Sequence, residues 1–270
     1  MYKILILRGG VMKIGIMNNP SKSILDEAIY CGKAGFDFLD LTIEGPRAST
    51  VNIVELQKII DTHGLSIVGH TDPCLPYAYP VQAIRDACLK ELERCAEIFS
   101  SLKAKVMNIH PCYFCPPAMG KDLVNLNIEA LKPLVAMAES HGLQLVMENY
   151  KAPFDRVSTF TILLNAVPGL GLHLDFGHAN FGRDNYDLFC TRLGGHILHV
   201  HFSDNRGRTD DHMPLGVGNI DWKKAITALK AIGYDSTITL EVFCNDPGMQ
   251  DDCFSLNRKL INDLWGHPRE

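Results

Sequence analysis

The sequence lacks several features that would each point to a different kind of protein. No apolar run approaches the roughly 20 residues that a membrane helix needs. The opening MYKILILRGGVMKIGIM is partly apolar but has no small-residue cleavage site, so it is not read as a secretory leader. Positive charge is not in excess: 26 Lys and Arg stand against 31 Asp and Glu, a net charge of −5. That gives no support to the basic footprint of a nucleic-acid binder, although a local basic groove can hide inside an acidic average. Nine cysteines are an odd number in a large chain, and they fit a reducing, cytoplasmic setting better than a secreted disulfide framework. Cys112 and Cys115 in HPCYFCPP have CxxC spacing but no second pair. Two prolines follow where a redox motif would open a helix, so both are read as loop thiols. No linker, low-complexity tract or composition break divides the chain.

What is present is a repeating unit. With 270 residues, 46% of them hydrophobic, there is ample material for one large α/β core. An amphipathic helical pattern ends at glycine and a short apolar run follows, as in VELQKIIDTHGLSIVGH, NIEALKPLVAMAESHGLQLVME and WKKAITALKAIGYDSTITLE. In the second, Ile128, Leu131, Val135 and Ala138 share one helical face. Gly142 then offers the left-handed position that ends many helices. The apolar runs read as strands buried on both faces of a parallel sheet. Strands are expected around 13–17, 37–43, 65–70, 104–110, 143–148, 170–175, 197–203 and 237–243. Helices are expected near 23–34, 53–63, 80–102, 121–141, 156–166, 184–193, 221–231 and 250–264. Eight βα units in about 250 residues is the arithmetic of a single (β/α)8 TIM barrel. A doubly wound open sheet would carry a glycine-rich loop after its first strand, and here that loop reads MNNPSKS. The barrel is placed over 12–270, starting at the cleaner strand after Met12, with residues 1–11 as an N-terminal extension.

The strand ends carry the chemistry. LSIVGH ends at His70, VMNIH at His110, LQLVME at Glu148, LGLHLD at Asp175, HVH at His201 and TITLE at Glu241. Any one of these alone reads as a hydrogen-bonded loop group or a helix cap. In a closed parallel barrel, however, all six converge on the face where TIM-barrel active sites lie. Carboxylates crowded there would repel each other and resist ionising, and a bound divalent cation reverses that cost. Mixed His and carboxylate donors suit zinc, manganese, iron or cobalt better than calcium. His178 in DFGH and the pair Asp210 and His212 lie nearby in sequence. His199 shares a strand face with His201 and is expected in a barrel layer or behind the ligands. Glu44, at the end of LTIE, is a candidate substrate contact, and Arg206 and Arg208 are candidates for an anionic group.

These residues resemble the xylose isomerase-like TIM-barrel superfamily, which includes sugar isomerases, sugar 3-epimerases and endonuclease IV. The carrying segments are HTDP at 70, HP at 110, MEN at 147, LDFGH at 174, HFSD at 201, DDHMPLGVGNIDW at 210 and LEVF at 240. They span nearly the whole chain in the expected order. The resemblance implies that Glu148, Asp175, His201 and Glu241 form the metal quartet of epimerase-like members. It also implies that His70, His110, His178, Asp210 and His212 match the further ligands of the trinuclear zinc centre of endonuclease IV. One to three divalent ions, zinc or manganese, are therefore expected.

Two functions follow. The first is a metal-dependent sugar or sugar-phosphate isomerase or epimerase. Glu148 and Glu241 would move a proton through a metal-stabilised enediolate, and His178, Arg206 and Glu44 would hold the substrate. The alternative is an endonuclease IV-like zinc phosphodiesterase acting at abasic sites in DNA. Two departures weigh against DNA: TDPCLPYAYP lacks the tyrosine-containing insertion pattern, and Val217 replaces a glutamate in LGVG. The expected partner is a small carbohydrate, with DNA only under the alternative and no membrane. The sequence leaves room for a homo-oligomer.

Overall fold

The computed structural model describes residues 12–45, 50–244 and 246–266; the expected extension over 1–11 lies outside the described residues. Eight parallel strands close into one barrel in sequence order. They are β1 (Lys13–Met17), β2 (Phe38–Ile43), β3 (Ser66–Thr71), β4 (Val106–Ile109), β5 (Gln144–Glu148), β6 (Gly171–Asp175), β7 (Ile197–Phe202) and β8 (Thr237–Leu240). Closure is made by β8 pairing with β1 in parallel, Lys13 opposite Thr237 and Ile16 opposite Leu240. The single (β/α)8 TIM barrel expected from the repeat is the observed fold.

Nine α-helices surround the barrel among the described residues: α1 (Ile24–Lys33), α2 (Ile53–His63), α3 (Gln82–Ser101), α4 (Leu123–Ser140), α5 (Val157–Ala166), α6 (Phe176–Phe181), α7 (Tyr186–Leu193), α8 (Trp222–Ala231) and α9 (Pro247–Trp265). Their starts are chemically marked. Ser23, Asn52, Asn185 and Asp221 each accept a backbone N–H of the first turn they cap. In α4 the face read from sequence is the buried one, with Ile128, Leu131, Val135 and Ala138 all in the core. Helix α6 was not expected. It is only six residues long, too short to carry an amphipathic period, and it starts because the Asp175 side chain accepts the His178 N–H. Strand β8 is shorter than expected and stops at Leu240, so Glu241 belongs to the loop that follows.

The strands divide their side chains between two environments. Ile14, Ile16, Leu39, Leu41, Leu145, Met147, Leu172, Leu174, Val200, Phe202, Ile238 and Leu240 join the hydrophobic core against the helices. Because side chains alternate along a strand, the residues between them point into the barrel. There Phe38 fills the lower end. Gly15 makes room for it, since a Cβ at position 15 would lie 2.5 Å from the Phe38 ring. Above Phe38 the interior turns polar. Asp40, Asn108, His173, His199 and Thr239 are all buried there. That polar column carries the site.

Candidate functional site

A cavity of about 280 Å³ opens where the strands end. Residues from all eight strand ends and the loops that follow line it, from Met17 at the end of β1 to Glu241 and Phe243 after β8. Its floor rests on Glu148, Asp175, His201 and Glu241, of which Glu241 lines the cavity; all four are buried, and each offers a donor atom within 4.8 Å of the others. The barrel thus gathers residues spread over 94 positions of sequence, 148 to 241, into one donor set.

Glu148 is the hub of this floor. Its carboxylate lies 3.2 Å from His110 Nε2, 3.2 Å from His173 Nδ1 and 3.1 Å from His178 Nδ1, and it accepts Asn108 Nδ2 at 2.7 Å. Burial alone would raise its pKa, but His110, His173 and His178 hold it well below the usual carboxylate range. Burial pushes the other way on the imidazoles. It lowers His70 to about 4, and it lowers His110 and His173, leaving neutral rings able to donate a lone pair. Asn149 pins β5 to β6 above the floor: its amide exchanges hydrogen bonds with the Asp175 backbone, at 3.0 Å and 2.7 Å.

The donor set fits a divalent cation. Asp175 Oδ2 is buried and has no hydrogen-bond partner. Burial raises the Asp175 carboxyl to about 7; His178 opposes this, while Glu241, Glu148 and Asp210 add repulsion. An unpartnered oxygen among like charges is costly without a cation and well placed with one. Three carboxylates and one imidazole are also donors of the type that zinc and manganese take.

Two further groups border the quartet. His70, His110 and Glu148 lie within mutual reach of one ion. On the opposite rim Asp210 Oδ2 is 2.9 Å from His178 Nε2 and 3.4 Å from His212 Nε2. Burial opposes protonation of His178, but Asp175, Asp210 and Glu148 hold its pKa well above the ordinary value. Burial also opposes protonation of His212, which Glu241 and Asp210 nevertheless raise to about 9. The nine positions singled out as ligands are therefore brought to one face.

The loop that carries Asp210 and His212 is built by a residue to which the sequence reading gave no role. Asp204 is fully buried, and its carboxylate accepts Asn205 N, Gly216 N, Ile220 N and Trp222 Nε1 at 2.8–3.2 Å. This accounts for much of the LGVGNIDW signature as architecture. Gly218 belongs to it because a Cβ there would stand 2.2 Å from Asn205 O and Asp204 Oδ1. Backbone bonds in both directions between Asp204 and Met213 hold the adjacent His212 at a φ of 45°. That conformation is uncommon for a residue with a side chain and persists where the surroundings fix it.

The candidate substrate contacts separate. Glu44 and His178 line the cavity. Burial raises the Glu44 carboxyl to about 7, with Asp72 and Glu241 adding repulsion. Arg206 is a correction: it is exposed and does not line the cavity. The reason is local. Asn205 bonds Gly177 O and Gly207 N, and the turn through Gly207 carries 206–209 outward. Arg208 is exposed on the same turn. Cys112 and Cys115 are free thiols, as expected. Asp40, Asn108 and His173 were missed because each is a single polar residue inside an apolar strand. A usable signal existed, since Asn108 precedes His110 by two residues and His173 precedes Asp175 by two, the spacing that puts them on one strand face.

Comparison with known proteins agrees with this geometry. A family model described as xylose isomerase-like TIM barrel matches residues 30–259. The "Uncharacterized protein MJ1311" of Methanocaldococcus jannaschii is 30% identical over 220 residues, covering 76% of this chain and 74% of that one. An inosose isomerase of Bacillus licheniformis is 22% identical over 79% of this chain and 82% of its own. Among solved structures, a D-tagatose 3-epimerase-like protein superposes with a TM-score of 0.80 at 26% identity, over 93% of this chain and 99% of that one. With that match over most of its length, the chain belongs to the xylose isomerase-like TIM-barrel family.

Proposed function

We propose that the protein is a divalent-metal-dependent sugar isomerase or epimerase that moves a proton on the carbon beside a carbonyl. The carrying observation is the buried quartet of Glu148, Asp175, His201 and Glu241, which reaches a cavity of about 280 Å³ through Glu241 and underlies its lining residues His110 and His178. The similarity to an inosose isomerase and to a D-tagatose 3-epimerase-like structure supports the reading. A cation held by the quartet would supply a Lewis acid beside the substrate's carbonyl and hydroxyl oxygens.

The protein's own groups do the rest. Glu148 comes from β5 and Glu241 from the end of β8, three strands apart around the barrel. One carboxylate takes the proton from carbon and leaves an enediolate; the other returns a proton. Return to the same carbon from the opposite side gives an epimer, and return to the neighbouring carbon gives an isomer. Asn108 and His110 steady Glu148, and His212 steadies Glu241 at 3.6 Å. Tyr150 packs edge-on against His178 and, with Met17 and Phe243, gives the cavity apolar walls that limit water. Glu44, partly protonated near neutrality, can both donate to and accept from a sugar hydroxyl. No Lys or Arg lines the cavity among the described residues, and Lys151 packs over the Tyr150 ring.

The test is incubation of metal-loaded protein with ketoses, inososes and their phosphates in deuterated water. Product formation with deuterium at one carbon is expected. Neither product nor exchange across the panel would reject the reading.

A second reading, a phosphodiesterase at abasic sites, is favoured by one observation: beside the quartet, His70, His110 and Glu148 lie within reach of one ion, and Asp210 Oδ2 lies 2.9 Å from His178 Nε2 and 3.4 Å from His212 Nε2. The net charge of −5 and the absence of cationic side chains among the described lining residues oppose it. Cleavage of a duplex with one abasic analogue, beside metal content per chain, separates the two.

A further inference from the structure

The side chain of His201 is held from both ends. Its Nδ1 faces the quartet, 3.0 Å from Glu241 Oε2 and 4.0 Å from Asp175 Oδ2. Its Nε2 faces the other way, 2.8 Å from Asp40 Oδ2. Asp40 lies in β2, across the barrel from β7, and does not line the cavity. It is fully buried in the polar column above Phe38.

An ionised carboxylate at such depth is expensive unless its oxygens are satisfied. Here one oxygen takes nearly all the donors. Asp40 Oδ2 accepts from His201 Nε2, from His199 Nε2 at 3.1 Å and from Thr239 Oγ1 at 2.7 Å. His199 is itself fixed, with Nδ1 2.6 Å from Thr237 Oγ1. The other oxygen, Oδ1, has no hydrogen-bond partner, and His70 Nδ1 lies 3.8 Å from it. The arrangement therefore concentrates on a single oxygen aimed at the far nitrogen of a quartet member. Nothing in the mechanism above uses it.

We propose that Asp40 is a positioning residue for the metal centre: by accepting the Nε2 proton of His201, it fixes the ring tautomer and rotation that turn the Nδ1 lone pair into the quartet. This rests on the metal-dependent reading. The chemistry is specific to a carboxylate. A carboxylate accepts only, so Nε2 must carry hydrogen and Nδ1 is left to donate its lone pair. An amide of the same shape can turn its NH2 toward Nε2. The ring would then place hydrogen on Nδ1, where it blocks the ligand position. His199 and Thr239 donate to the same oxygen, which holds the carboxylate plane in place.

Two measurements test this. The first is zinc affinity of the wild type and D40N, by competition with a chromogenic chelator at fixed pH. D40N is expected to bind about 10–100-fold more weakly, the usual cost of losing a partner behind a metal-bound imidazole. The second uses wild-type protein alone, so it does not depend on D40N folding. In histidine-15N-labelled protein loaded with 113Cd, the cadmium coupling is expected at His201 Nδ1, with a hydrogen-bonded proton on Nε2. A purely structural role for Asp40 would not dictate that pattern. Coupling at Nε2, or D40N affinity within about twofold of wild type, overturns the proposal while leaving metal binding intact. Failure of the wild type to bind zinc or cadmium at the quartet would overturn the metal-dependent reading, and this inference with it.

Discussion

The floor of the site and its rim are built by different means. Glu148, Asp175 and His201 sit on strands and Glu241 sits one residue past β8; all four are buried. Their positions are set by barrel closure, a ladder of backbone bonds between distant segments. At the rim, Asp210 and His212 stand on a loop with side chains 22% and 23% exposed, and His178 sits on the six-residue α6. The loop of Asp210 and His212 depends on a few side-chain bonds, chiefly those of Asp204, and His178 is held by the Asp175 carboxylate and the Asn149 carbonyl. The same residue types are therefore held in two ways: the floor by the backbone ladder of the barrel, the rim by side-chain bonds of the loops.

The sharpest way to break this contrast is at the floor. Glu148→Gln and Glu241→Gln are each expected to lower kcat by about 10²–10⁴-fold, the range for loss of a positioned acid or base. Deuterium exchange and turnover measured together would check it. A variant that keeps more than a tenth of wild-type turnover would remove that carboxylate from the mechanism. Next in size is the rim's keystone. Asp204→Ala strips a buried acceptor from four donors and should cost about 3 kcal/mol or more of stability, read from denaturant unfolding. Metal bound at the quartet should survive it.

A control away from both regions sharpens the comparison. Leu131→Ala, in the core face of α4, should cost about 2–5 kcal/mol in unfolding free energy while metal content stays unchanged. His212→Ala is expected to leave the quartet's metal in place. If the rim also holds an ion, metal content per chain falls by one, which mass spectrometry under native conditions would show.

The smallest effect is a pH dependence. The Glu44 carboxyl is raised to about 7, chiefly by burial. An acid raised in the folded state adds stability below its unfolded value, about 4.3, and that stability is lost as pH rises toward 7. Glu44→Gln should therefore flatten the fall in Tm over that window. An unchanged slope would place Glu44 in solvent.

Much of the site was legible because the barrel is regular. A parallel strand buried on both faces reads as an apolar run, and a His, Asp or Glu at its end stands out. That is how Glu148, Asp175 and His201 could be named. Asp40 was hidden by the same regularity. It interrupts the apolar run FLDLTI in mid-strand, and local sequence does not say whether such a residue faces helices or the barrel axis. Arg206 failed for another reason. Which side of a loop a residue takes was decided by the bonds of Asn205 to Gly177 and Gly207, and these join separate segments.

The sequence by itself determined the repeat, the parallel barrel and the chemical kind of residue at each strand end. Periodicity and burial are properties of a single segment. The tertiary structure alone decided which candidate donors lie within reach of one ion, which carboxylate stands behind His201 and which arginine is turned away. Those are distances between segments far apart in the chain, and only the closed barrel brings them together.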